Sequence, residues 1–169
     1  VQLPDSLFQL AQHKNLRLYI EYPGRLPGHP TTDELINTRL ERGIVTTGDI
    51  DGLDSLSLLD FHNSTIVPLT ASQPMMVLGK VAGFDKADFG ISDVTCYPLL
   101  FQDGPLLIAS TRLSDCITGR FGPSASWRKV WTYILHWLQG GTTASLSRWP
   151  LQLSPMDGPD EKLPADAFH

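Results

Sequence analysis

The chain has 169 residues, enough for one domain with a sizeable core. Charged residues make up 18%, below the roughly 25% of ordinary soluble domains, which suggests surface covered by another domain or a partner. The net charge is −5 with the basic residues scattered, which argues against nucleic acid, and no apolar run approaches the roughly 20 residues of a membrane helix. The chain opens on Val1 without Met, as it would after loss of a signal peptide or an upstream domain.

Asp5-Ser6 is placed to cap a short helix through His13, with Leu7, Leu10 and Ala11 on one face. Leu16, Leu18, Ile20 and Tyr22 alternate, a strand pattern. PGRLPGHP over 23–30 is a loop, and Thr31-Thr32-Asp33 is placed to cap a helix over 34–40. GIVTT (43–47) and LSLLDF (56–61) read as buried strands. Between them, Asp49, Asp51 and Asp54 lie among glycines without the distant Glu of a calcium loop, so a solvated turn is expected. MMVLGKVA (75–82) is a further strand. Asp103-Gly104 joins 97–102 to 105–111 as a hairpin. Ser124 or Ser126 caps a helix over 124–139, whose stripe is Trp127, Val130, Trp131, Ile134, Leu135 and Leu138; Tyr133 and Trp137 fall off it. Gly140-Gly141 stops that helix, and 142–169 reads as a linker or extended arm.

No catalytic constellation stands out. Cys116, in LSDCITG, lacks the glycines of a nucleophile elbow, and Cys96 reads as structural; both are expected to be free in or near a core, with pairing in an oxidising compartment the alternative. The candidate ligand-binding residues are Asp85 and Asp88 in GFDKADFG, His62 at a strand end, and Arg112, Ser114 and Arg120 in the loop after the last strand. Each has a structural alternative: a turn cap for Asp85, a hydrogen-bonded loop residue for His62, and an Arg120–Asp115 brace. No metal spacing, phosphate cradle or cofactor motif is present.

IEYPGRLPG, RLERGIVTT, VAGFDKADFGI, YPLLF, LLIASTRLSD and TGRFGPSASWRKVWTYILHWL together resemble a class I glutamine amidotransferase-like, flavodoxin-type domain. That domain sits at the N-terminus of large Bacteroidetes-type carbohydrate-active proteins, ahead of a six-hairpin, α-L-rhamnosidase-like glycosidase module. LLIASTRLSD is also distantly similar to the ThuA-like branch and to the β-galactosidase trimerisation domain. The resemblance implies an α/β three-layer sandwich, a mostly parallel sheet with helices on both faces, over 1–141, with 142–169 leading into the downstream module. It implies a non-catalytic accessory domain of a secreted or periplasmic glycoside hydrolase, with that module and carbohydrate as partners. The amidotransferase Cys and His-Glu find no matching positions here. The alternative is a self-sufficient hydrolase or sugar-binding enzyme using Asp85, Asp88 and the loop Ser110 to Arg120.

Overall fold

A computed structural model describes residues 4–29, 34–61, 64–116 and 124–140. In chain order the elements are α1 (Asp5–His13), β1 (Leu18–Glu21), β2 (Ile36–Asn37), β3 (Arg42–Val45), β4 (Leu58–Leu59), β5 (Thr65–Ile66), β6 (Met76–Gly79), β7 (Cys96–Asp103) and β8 (Leu106–Ala109). A short 3-10 turn (Leu113–Cys116) and α2 (Ser124–Leu138) follow. The strands form a six-stranded sheet in the order β1-β8-β7-β6-β3-β4, and β2 pairs with β5 in a small separate ribbon.

The protein is therefore mixed α/β, but the sheet is not mostly parallel. β1 runs parallel to β8, while the other four pairings of this sheet are antiparallel. Parallel neighbours need a crossover of a dozen or more residues, usually helical. Here β7 and β8 are joined by the tight turn at Asp103-Gly104, with Gly104 at φ +54°, as a hairpin turn demands. The segment expected to form a helix over 34–40 is not helical. Ile36 and Asn37 pair with Ile66 and Thr65 instead. Beyond them the Thr38 hydroxyl donates to the Ser64 carbonyl at 3.0 Å and accepts from the Ser64 N–H at 2.9 Å. A β-branched, backbone-bonding side chain favours this extended ribbon over a helix.

The strands expected at 16–22, 43–47, 56–61, 75–82 and 105–111 appear in shortened form, and the hairpin's first strand, expected over 97–102, is slightly longer at Cys96–Asp103. The β6–β7 register slips between Met76 and Val77, so that Val77 faces Pro98 and Met76 faces Leu100. Pro98 has no N–H for a ladder, and a bulge is where a strand tolerates that loss.

Alternation along the central strands divides the core in two. Leu100, Leu107 and Ala109 face α2, whose Trp127, Val130, Ile134 and Trp137 are buried against them. Ile20, Phe101 and Ile108 face the other way, against Leu26, Val67, Leu69 and the partly buried Phe8 of α1. The α2 stripe thus differs from expectation. Trp137 belongs to it and donates from Nε1 to Gln102 Oε1 at 3.0 Å, whereas Trp131 is only partly buried. Ser126 lies inside α2 rather than at its cap. On α1 the inward residues are Phe8 and Ala11, with Leu7 and Leu10 exposed, and the residue before the helix is Pro4 with no side-chain cap.

Trp127 is fully buried and its Nε1 donates to the Asp60 carbonyl at 3.2 Å. Trp131 meets Tyr19 edge to face at 5.6 Å, but its Nε1 has no partner among the described residues. Trp127→Ala is expected to cost about 3–5 kcal/mol, while Trp131→Phe, which deletes an unpaired donor, stays within about 1 kcal/mol of the parent. Urea unfolding of the two variants checks this.

Candidate functional site

The parallel pair β1–β8 ends at Glu21 and Ala109, and the chain leaves β8 through Ser110, Thr111 and Arg112. Strand ends of this kind often carry sites. Here the local groups are occupied with one another. The 3-10 turn brings the Ser114 N–H to Glu21 Oε2 at 3.0 Å and the Ser114 hydroxyl to Glu21 Oε1 at 2.5 Å. The Tyr19 hydroxyl donates to the same carboxylate at 3.2 Å. The Thr111 hydroxyl donates to the Thr65 carbonyl at 2.9 Å, and the Arg112 guanidinium stacks over Tyr22 at 5.1 Å. Ser114 and Arg112 are thus fastened to β1 and the residue after it. Tyr22 itself sits at φ +49°, a strained setting for a bulky side chain. Burial, with Asp115 and Glu21 nearby, pushes the Cys116 thiol up to about 12, and burial also raises that of Cys96. A protonated thiol is a poor nucleophile. Both cysteines are free.

Asp85 and Asp88 are placed elsewhere. Their loop lies beside β4, at the opposite edge of the sheet from β1. The Leu58 N–H donates to the Asp85 carbonyl at 2.8 Å, and the Ala87 N–H to Leu56 at 3.0 Å. It is the Asp85 main chain, not its carboxylate, that makes this contact. The Asp85/Asp88 pair and the Arg112/Ser114 pair, expected to act together in the enzyme alternative, are not brought together. His62 and Arg120 lie outside the described residues, as do the expected domain boundary at Gly141 and the linker over 142–169.

The loop carrying Asp85 and Asp88 has a second property. Arg42 donates to the carbonyls of Val81 at 2.7 Å and Gly83 at 2.8 Å. Lys86 pairs with Asp54 at 2.7 Å, and the Asp88 N–H closes back on Ala82 at 3.0 Å. Gly83, at φ +131°, admits no side chain, since a Cβ there would lie 1.9 Å from the Lys86 carbonyl oxygen. This braced loop holds Phe84 and Phe89 outward, each 89% exposed. Leu40, 76% exposed, belongs to the same end of the sheet, because Glu41 next to it pairs with Lys80 at 3.4 Å.

A polar cleft of about 490 Å³ opens at the other end of the sheet, around the hairpin. His29 Nε2 meets Asp103 Oδ2 at 2.9 Å, and the His29 ring lies 5.4 Å from that of Phe101. Asp49, Gln102 and Tyr133 also line the cleft. Burial first, then the Asp49 charge, raises the Tyr133 phenol, with Arg17 acting in the opposite sense, so it stays a neutral hydroxyl. None of these residues was among the sequence candidates. His29 reads locally as part of a Pro/Gly loop and Asp103 as a turn residue, and 74 positions separate them. Among the described residues no group of three His, Cys, Asp or Glu side chains is placed to hold a metal, and no helix is long and apolar enough to cross a membrane.

Comparison with protein-family models, with curated proteins and with solved structures finds no match.

The Glu21 contacts separate a bracing serine from an idle one. Ser114→Ala removes a hydroxyl bonded to a carboxylate and is expected to cost about 1.5–3 kcal/mol. The Ser110 hydroxyl is buried with no partner among the described residues, so Ser110→Ala is expected to be neutral or stabilising by up to about 1 kcal/mol. Paired denaturant curves measure both.

Proposed function

We propose that this chain is a non-catalytic accessory domain of a carbohydrate-active enzyme, docking through its 81–91 loop onto the glycosidase module that follows in the same protein. The observation that carries the reading is the outward presentation of Phe84 and Phe89 on a loop fixed by Arg42, Lys86 and Gly83. A large apolar side chain costs least to expose when something else covers it, and burying each ring is worth about 1.5–3 kcal/mol. Two such anchors on a rigid platform fit the pattern of interface hot spots, where a few pre-ordered aromatics carry most of the affinity. The low charge fraction and the resemblance to accessory domains point the same way.

Geometry permits the downstream module to be the occupant. Trp127 packs near Asp60 and Trp137 near Gln102, so α2 delivers the chain to the hairpin end, away from Phe84. The 29 residues of 141–169 could span up to about 100 Å if fully extended, far longer than the sheet. The enzyme alternative draws less support, because its acidic pair lies at one edge of the sheet and Arg112 and Ser114 lie beside the other.

The domain and the downstream module, expressed separately, are expected to associate. Phe84→Ser with Phe89→Ser should abolish that association and leave the domain's own unfolding free energy within about 0.5 kcal/mol of the parent, as for surface substitutions. Unchanged association in the double variant, or turnover of an aryl glycoside by the isolated chain that disappears in Asp85→Asn, would sink the reading.

A further inference from the structure

We infer that the hairpin end of the sheet carries a carbohydrate-binding groove, with a neutral oligosaccharide as its ligand. The cleft around His29 and Tyr133 adjoins a second one of about 410 Å³ lined by Gln12, Asn15 and Arg17. Gln102 and Gly104 line both, so the two form arms of one groove across the hairpin tip. Each arm falls within the roughly 300–1,000 Å³ of small-molecule sites.

The lining chemistry selects the ligand class. Hydroxyls and carboxamides dominate: Thr47, Thr70, Ser72, Gln73 and Gln102 in one arm, Gln12 and Asn15 in the other. An apolar ligand would bury these groups without partners, which is unfavourable for each of them. An anionic ligand would face the carboxylates of Asp49 and Asp103. The cation Arg17 is already engaged, donating to the Trp137 carbonyl at 2.6 Å and lying 5.2 Å over the Trp137 ring. A ligand dense in neutral hydroxyls, each both donor and acceptor, satisfies carboxylate, amide and phenol together. The partly exposed Tyr133 supplies aromatic surface against which the apolar face of a sugar ring can rest.

Gln102 is the fixed point of the groove. Its Oε1 accepts from Trp137 Nε1 at 3.0 Å and its Nε2 donates to the Gly104 carbonyl at 3.1 Å. A carboxamide has two donor hydrogens and two acceptor sites, so one of each remains for a ligand, already oriented. Asp103 likewise holds His29 through Nε2 and leaves Nδ1. The bond to Trp137 also makes that indole a reporter of events at Gln102.

Titration of the full chain with xylohexaose, mannohexaose, cellohexaose, maltohexaose and, as the acidic counterpart, hexagalacturonate tests this, read by calorimetry and tryptophan emission. Saturable binding of at least one neutral hexaose is expected, with a change in emission. Tyr133→Phe and Asp49→Asn, which keep side-chain volume, should each weaken it about tenfold or more, the equivalent of one lost hydrogen bond to a charged or fixed group. Circular dichroism confirms that both variants fold. No saturation by any neutral hexaose, binding of hexagalacturonate alone, or affinity in both variants unchanged from the parent's would overturn the proposal. The groove is independent of the docking loop, so the Phe84→Ser, Phe89→Ser variant should bind the hexaose as the parent does, and failure of either reading leaves the other standing.

Discussion

Strand β8 must be covered on both faces, and most of the architecture follows from that requirement. Leu107, Ile108 and Ala109 are fully buried, so an unbroken apolar run sits between two neighbours in the plane and two layers above and below. α2 supplies one cover with Trp127, Val130, Ile134 and Trp137. The other is assembled from pieces: Phe8 of α1, Leu26 of the Pro/Gly loop, and Val67 and Leu69 after β5. A cover made of loop segments needs main-chain anchors, and it has them: the Val67 N–H bonds the Ser110 carbonyl, and Tyr22 bonds Ala109. The ribbon of β2 and β5 is held against the β8 exit by Thr111 in the same way.

What the sequence made legible was local. The Asp-Gly turn, the strand runs and most of the apolar stripe of α2 each depend on neighbours within a few positions, and they appear close to where expected. Strand direction did not, because it depends on how distant segments are connected. The expected parallel sheet came from the family resemblance, and every pairing of the six-stranded sheet but β1–β8 is antiparallel; the helix expected over 34–40 is a ribbon strand, Ile36–Asn37, instead. Trp137 was misplaced for a related reason: a helix stripe read from one segment says nothing of Gln102, whose carboxamide gives the indole a partner and makes its burial affordable.

The candidate site shows the same division. Ser114 and Arg112 were singled out for their chemistry, but their partners Glu21 and Tyr22 lie on β1 and just beyond it, far away in the chain. The His29–Asp103 pair and the groove around it join a loop, a turn and a helix that share no local pattern. Composition pointed to the exposed apolar residues more than any motif did. A chain poor in charge is one in which Phe84, Phe89 and Leu40 can gather at one end of a sheet.

The 81–91 loop has a further consequence for the edge of the sheet. β4 is the outermost strand on its side, only two residues long, and the 85–87 segment runs along this edge: the Leu58 N–H bonds the Asp85 carbonyl, Lys86 bridges Ser57, and the Ala87 N–H bonds the Leu56 carbonyl. An open edge invites another strand to add to it, by self-association or aggregation. The segment that holds the phenylalanines outward is thus also the selvage that keeps the sheet from fraying into its neighbours. The chain cannot discard one role without giving up the other.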